Sequence, residues 1–81
     1  DNVTEYIEFS GYKLIEMAVP EEWFGQSLVD LDVRRKYGIN IIAVRRNGTL
    51  DFSVKPETVF EDGNTILVLG QYRDLQKCFK I

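Results

Sequence analysis

The sequence predicts a small α+β domain, in which a mostly antiparallel four-stranded sheet carries two helices on one face in the order β-α-β-β-β-α. Two observations support this class. The first is a short amphipathic segment that ends at Gly38 and turns directly into an apolar strand. The second is the Asn47-Gly48 pair between two strand-like segments. Such a pair favours a hairpin, because a type I′ turn requires positive φ at both positions.

Composition limits the classes of function. The chain has 81 residues, of which 44% are hydrophobic and 28% charged, so we expect one folded domain with a small core. A net charge of -3 argues against nucleic acid as a partner, because binding to phosphate backbones requires a basic surface. The sequence has no histidine and no visible nucleophile-base pair, so we do not expect an enzyme.

The surroundings of the protein can also be predicted. Cys78 is the only cysteine, which excludes an internal disulfide and fits a reducing cytoplasm. No apolar run approaches the length of a membrane span, and the N-terminal residues do not resemble a signal peptide. We therefore expect a cytoplasmic protein without direct membrane insertion.

The first third of the chain contains one strand and a connection. Residues 1–10 are a lead-in segment or an edge strand, and residues 12–19 form a strand that Pro20 ends, because proline cannot donate to a ladder. Trp23 and Phe24 follow, and we expect both aromatic rings to cover one end of the core, the alternative being an exposed pair that forms a surface for a partner.

The first helix has signals at both of its ends. Ser27 and Asp30 resemble a capping box, so the helix should begin near Leu28. Gly38 should end it in the left-handed conformation that favours glycine. Between these two signals the pattern predicts one continuous helix.

Three further strands and a second helix complete the prediction. The strands lie at residues 39–46, 49–54 and 65–69, and the helix at residues 72–79. Strict alternation would place Ile41 and Ala43 on one face of the first of these strands and Val44 on the other. Phe52 should point inward from the second strand.

The corner between the first helix and the strand at residues 39–46 is the candidate site. Asn40 is a polar amide in an otherwise apolar strand, and burying it without partners would cost about 1–3 kcal/mol. It can also simply bond a neighbouring loop. The helix charges have an ordinary explanation, since Asp30 and Arg34, like Asp32 and Lys36, have the i,i+4 spacing of solvated pairs. The residues alone leave these interpretations open.

Four motifs follow one another along the chain. They are YKLIEMAVP, the helix GQSLVDLDVR, the strand GINIIAVRR and the closing DGNTILVLG before a helix. Together they resemble the RCK_C or TrkA-C family, the C-terminal domain of proteins that regulate potassium conductance, such as bacterial channel-gating subunits. Asn64 departs from the aspartate that is usual in the family. The resemblance divides the chain into a lead-in at residues 1–10 and an RCK_C domain at residues 11–81.

The resemblance implies a regulatory homodimer that binds cyclic di-AMP at its interface. The same family relationship implies an N-terminal RCK domain and a membrane potassium channel subunit as partners, with no cofactor and no metal in this domain. The implied ligand site comprises Leu28, Val29, Asp32, Arg34, Arg35, Ile39, Asn40, Ile41 and Pro56. In it, Arg34 would contact a phosphate with Asp32 orienting it, and Asn40 would bond to a phosphate or an adenine edge.

Two other functions are consistent with the residues. The apolar side chains of the corner could serve only to hold a dimer, which would make the domain an assembly module without a ligand. A divalent-cation sensor is also conceivable, because acidic loop residues supply the oxygen ligands that such cations prefer. The acidic residues in question are Glu21, Glu22, Glu57, Glu61 and Asp62.

Overall fold

The computed structural model describes residues 2–81, which form one antiparallel sheet with helices on one of its faces. The strands are β1 (Thr4–Phe9), β2 (Tyr12–Ala18), β3 (Asn40–Arg46), β4 (Thr49–Asp51) and β5 (Thr65–Gln71). The helices are α1 (Leu28–Leu31), α2 (Val33–Tyr37) and α3 (Tyr72–Phe79), and a 3-10 turn spans Glu21–Trp23.

The sheet has the strand order β1-β2-β5-β3-β4. It contains five strands over the described residues and not the predicted four. The additional strand is β1, which pairs along its length with β2 at the edge of the sheet. The longest ladders join β5 to β2 on one side and to β3 on the other, so β5 is the centre of the fold.

The core lies between the sheet and the helices. Ile15, Val44 and Val68 point from the three central strands toward Val33 of α2 and Leu75 of α3, and all five side chains are buried. Burial of apolar area on this side is the main stabilising contribution that a small domain has. The expectation that the helices occupy one face of the sheet is therefore confirmed.

Aromatic packing closes one end of this core. Trp23 is buried, and its ring centroid lies 5.7 Å from that of Phe60 and 5.4 Å from that of Phe79. Phe24, however, is 38% exposed. The prediction that both neighbouring aromatics cover the core is correct for Trp23 and wrong for Phe24, because the 3-10 turn ends between them and directs the second ring outward.

The predicted single helix is divided in two at Asp32. This residue has φ 53° and ψ 38°, a left-handed conformation that aspartate tolerates better than most residues. Both predicted ends are confirmed: the Ser27 hydroxyl accepts a hydrogen bond from the backbone N–H of Asp30 at 3.2 Å, and Gly38 ends α2 with φ 75°. Because of this break, the side chains of α2 point in other directions than they would in one continuous helix.

A β-bulge in β3 overturns the predicted alternation. The pairing of β3 with β5 shifts between Ile41 and Ala43, so one additional residue is accommodated there. Beyond the bulge the two faces exchange, and Val44 points into the core on the same side as Ile39 and Ile41. The assignment of Ala43 and Val44 to faces was therefore wrong, while the strand itself was correctly predicted.

The hairpin of β3 and β4 is shorter than expected. Asn47 and Gly48 have φ values of 51° and 81°, as the predicted turn requires. The Asp51 carboxylate then accepts a hydrogen bond from the Ser53 N–H at 2.9 Å, which turns the chain out of the ladder. Phe52 is 62% exposed in consequence and does not point inward as predicted.

The helix-free face of the sheet carries a buried ion pair that the sequence did not reveal. Glu16 is 8% exposed and accepts a hydrogen bond from the Arg45 Nε at 2.6 Å. Its carboxylate also accepts from the hydroxyls of Tyr6 and Thr65. The Arg45 guanidinium, helped by these two hydroxyls against the effect of burial, lowers the pKa of Glu16 to about 2.

Candidate functional site

A cavity of about 370 Å³ opens at the corner where the first two helices meet β3. All the site residues expected from the family resemblance line it, with the single exception of Arg35. Val33 and Val54 line it in addition. The complete lining is Leu28, Val29, Asp32, Val33, Arg34, Ile39, Asn40, Ile41, Val54 and Pro56.

The loop after β4 forms one wall of the cavity and is tied to the start of α1. The backbone N–H of Leu28 donates to the Thr58 carbonyl and that of Val29 donates to the Pro56 carbonyl, both at 2.9 Å. The loop ends at Phe60, whose side chain is fully buried in the core. These bonds place Pro56 opposite β3, and they also use the first free amides of α1. These two amides are therefore not free to bind an anion in the cavity.

Arg34 is the single cationic side chain of the lining. It is exposed and makes no salt bridge with any carboxylate in residues 2–81. A planar guanidinium of this kind is well suited to bind a phosphate through two parallel hydrogen bonds.

Asn40 supplies a second polar group. It is the first residue of β3, is half-buried and faces the cavity, and over the described part of the chain its side-chain amide forms no hydrogen bond. The alternative that Asn40 bonds a neighbouring loop therefore finds no support. A carboxamide has both donors and an acceptor, so Asn40 can recognise a phosphate or the edge of a base.

Asp32 does not have the partner that was expected. Its Oδ2 lies 2.5 Å from the Nε of Arg35, whose side chain is 75% exposed. Neither the pairing of Asp32 with Lys36 nor an orienting contact from Asp32 to Arg34 is found. The reason is the left-handed backbone at Asp32, which moves its carboxylate out of the position it would have in a continuous helix.

Most of the side chains that line the cavity are apolar. Ile39 lines the cavity and is fully buried, while Leu28 and Ile41 are half-buried. Val33 and Val54 also line the cavity but were not among the expected site residues. The sequence pattern could have indicated both, because Val33 lies on the apolar side of the helix and Val54 is the last inward-facing residue of the predicted strand at residues 49–54. A guanidinium and an amide beside apolar walls suit a ligand that has both a flat ring and an anionic group.

In residues 2–81 no three histidine, cysteine, aspartate or glutamate side chains are grouped as a metal site requires, so the acidic loop residues proposed for a cation are not brought together. None of the helices that the structure describes has the length and apolar character needed to cross a membrane. Burial raises the pKa of the Cys78 thiol to about 11, which makes this cysteine a poor nucleophile.

Sequence comparison places the chain among known proteins. Residues 14–81 match the family model described as TrkA-C domain. Two curated relatives from Bacillus subtilis (strain 168) match over 78 residues: Ktr system potassium uptake protein A at 30% identity and protein C at 33%. In both matches 95% of this chain is aligned with 35% of the relative. The chain thus spans about a third of the length of these relatives.

Two solved structures share the fold. The RCK C domain of the potassium transport protein KtrA, in complex with cyclic diadenosine monophosphate, superposes with a TM-score of 0.79 at 36% identity, covering 85% of this chain and 81% of that one. The RCK_C domain dimer of S. agalactiae BusR, in complex with c-di-AMP, superposes with a TM-score of 0.67 at 26% identity, covering 83% and 95%.

Proposed function

Because the chain belongs to the TrkA-C domain family, we propose that it is a regulatory domain that binds cyclic di-AMP at the interface of a homodimer. The cavity between the first two helices and β3 is the half-site contributed by each protomer. The observation that carries this proposal is the pairing of an uncompensated guanidinium at Arg34 with an unbonded amide at Asn40 above apolar walls.

The chemistry of the ligand matches the cavity group by group. Cyclic di-AMP consists of two phosphates and two adenines in a ring. Arg34 binds a phosphate, and Asn40 binds either a phosphate or the edge of adenine, as asparagine does elsewhere. Leu28, Ile41 and Pro56 contact the faces of the adenine ring. Two of the matched structures were determined with this ligand, which supports the assignment.

A second copy of the chain is the partner that this ligand implies. Cyclic di-AMP has two identical halves, and a twofold dimer presents the same half-site from each protomer. Val29 lines the cavity and is 60% exposed. A second protomer would remove this side chain from water and close the ligand between two equal walls.

The relatives support a proposal for the wider assembly. Both Ktr proteins are named for potassium uptake, and this chain aligns with about a third of each. The domain is accordingly proposed to follow an N-terminal RCK domain in a cytoplasmic subunit that gates a potassium channel at the membrane. In this role the domain senses a nucleotide and catalyses no reaction.

Isothermal titration with cyclic di-AMP tests the ligand. Wild-type protein should bind it with one ligand per dimer. Arg34→Ala should weaken binding by at least about tenfold, because a hydrogen bond to a charged group contributes about 1.5–3 kcal/mol. Asn40→Ala should weaken it by about threefold to tenfold on the same scale for a neutral bond.

A matched control separates the site from general effects of charge. Arg73→Ala removes an equal charge from an exposed position on α3, away from the cavity, and should bind like the wild type. Wild-type protein that does not bind cyclic di-AMP would refute the proposed function. Binding that is unchanged in both site variants would refute the assignment of the cavity.

An assembly module without a ligand is the second candidate. The exposed Val29 and Phe52 favour it, since both are apolar surfaces that an interface can cover without any nucleotide. Sedimentation equilibrium distinguishes the two functions. A stable dimer that titrates with no heat against cyclic di-AMP supports assembly alone.

A further inference from the structure

We propose that Arg35 is a positioning residue for the ligand site, and that its function is to neutralise the Asp32 carboxylate in the cavity wall. This inference rests on the proposed function, and it assigns to Arg35 a task different from the ligand contact that the family resemblance implies. Asp32 lines the cavity, Arg35 does not, and an ion pair joins the two.

The two neighbouring arginines point in different directions. Successive residues of a helix are separated by about 100°, so Arg35 can point away from the cavity although Arg34 lines it. Arg34 faces the cavity and forms no salt bridge within residues 2–81, whereas Arg35 is fixed by its Nε to the Asp32 carboxylate. The structure therefore divides the arginine pair into one available cation and one that is already compensated.

The charge balance at the wall explains why this division matters. Asp32, Arg34 and Arg35 together carry a net charge of about +1 at neutral pH. Loss of Arg35 alone would leave Arg34 opposed by an unpaired carboxylate, and the wall would be neutral toward an anionic ligand. Loss of the charges of both Asp32 and Arg35 restores the net charge of +1. If Arg35 serves to neutralise Asp32, removing the charge of Asp32 should therefore restore the ligand affinity that is lost when Arg35 is replaced.

The backbone makes Asn the suitable substitution at position 32. Asp32 has φ 53°, and asparagine is among the few residues that adopt this conformation readily. Asp32→Asn keeps the size and backbone geometry of the side chain and removes only its charge. Asp32→Ala would instead strain the connection between α1 and α2. A loss of affinity in that variant could then come from a change in the fold as well as from the lost charge.

The experiment is a double-mutant cycle of cyclic di-AMP affinity, measured by titration at low and at physiological ionic strength. Arg35→Ala should weaken binding by about twofold to fivefold, in the range measured for exposed ion pairs. Asp32→Asn alone should bind more tightly than wild type, because it leaves Arg34 and Arg35 both without an opposing carboxylate at the cavity wall. The double variant Asp32→Asn, Arg35→Ala should return to within about twofold of wild type, and the differences should shrink as salt is added.

Lys36→Ala is the matched control, because it removes one positive charge from the same helix at a residue that does not line the cavity. It should bind more like wild type than Arg35→Ala does. A double variant that binds as weakly as Arg35→Ala would overturn the proposal and show direct contact between Arg35 and the ligand, and wild-type affinity in Arg35→Ala would overturn it too. Neither result touches the proposed function, which fails only if wild-type protein does not bind.

Discussion

Replacement of Glu16 by glutamine tests the ion pair on the helix-free face of the sheet. Glu16 is nearly buried and receives hydrogen bonds from Arg45, Tyr6 and Thr65, so the native state strongly favours its ionised form. The pKa of Glu16 falls from a usual value of 4.5 to about 2. The stabilisation is therefore complete above the unfolded-state pKa, and it is lost as the pH falls from there through the native-state pKa.

The magnitude follows from this difference in pKa. One pKa unit corresponds to about 1.4 kcal/mol, so the full difference of about 2.5 units would contribute about 3–4 kcal/mol to the free energy of unfolding. Arg45 has a side chain that is 34% exposed, and water screens part of its interaction with Glu16. We therefore expect Glu16→Gln to destabilise the domain by about 1–2 kcal/mol at pH 7.

Urea denaturation followed by circular dichroism, repeated between pH 7 and pH 2, measures this effect. The difference between wild type and Glu16→Gln should shrink as the pH falls, because wild-type Glu16 becomes protonated as well. Glu5→Gln is the control: Glu5 pairs with Lys13 at 3.0 Å, but its side chain is 46% exposed, so its loss should cost less than about 0.5 kcal/mol. A difference that stays constant over this pH range would contradict the electrostatic explanation.

Two further predictions concern the core. Gly70→Ala would place a Cβ 2.9 Å from the Cγ2 of Ile39. We therefore expect the free energy of unfolding, measured by thermal or urea denaturation, to fall by about 1–3 kcal/mol. A stability equal to that of the wild type would show that the Ile39 side chain moves aside at no cost. The Cys78 thiol, whose pKa burial raises to about 11, should react with a thiol reagent at pH 8 much more slowly in the native protein than in urea. Equal rates would show that the thiol is accessible.

Features fixed by local chemistry were predictable from the sequence. The Ser27 cap, the left-handed Gly38 and the Asn47-Gly48 turn each depend on what one or two residues can adopt or bond. The final helix and its buried Leu75 followed from apolar periodicity in the same way. For such features the residue type alone excludes most alternatives.

Features fixed by strand register were not predictable. Glu16 and Arg45 are distant in sequence, and they meet only because β5 lies between β2 and β3 and supplies Thr65 to the same cluster. The bulge after Ile41 likewise depends on how two strands align. Without the pairing of β1 to β2, nothing in the residues distinguishes an edge strand from an ordered lead-in.

The candidate site was partly predictable because most of it is continuous in the sequence. A helix that ends at Gly38 and enters a strand at once must bring Arg34 and Asn40 to one corner. Pro56 came from the family resemblance, and only the bond between the Val29 N–H and its carbonyl explains its place in the wall. The pairing of Asp32 with Arg35 depends on the left-handed break at Asp32. The sequence did not predict this break, because the signals at Ser27 and Gly38 together indicated one continuous helix.

Local compensation of charge also makes the proposed anionic ligand compatible with an acidic chain. The net charge is -3, yet Glu16 pairs with Arg45 on the helix-free face, and Asp32, the one carboxylate of the cavity lining, pairs with Arg35. A paired carboxylate produces little field beyond a few ångströms, and the remaining surface charges are screened over about 8 Å at physiological salt. For the proposed ligand, the local charge at the cavity, where Arg34 is the one cationic side chain of the lining, therefore matters more than the charge of the whole domain.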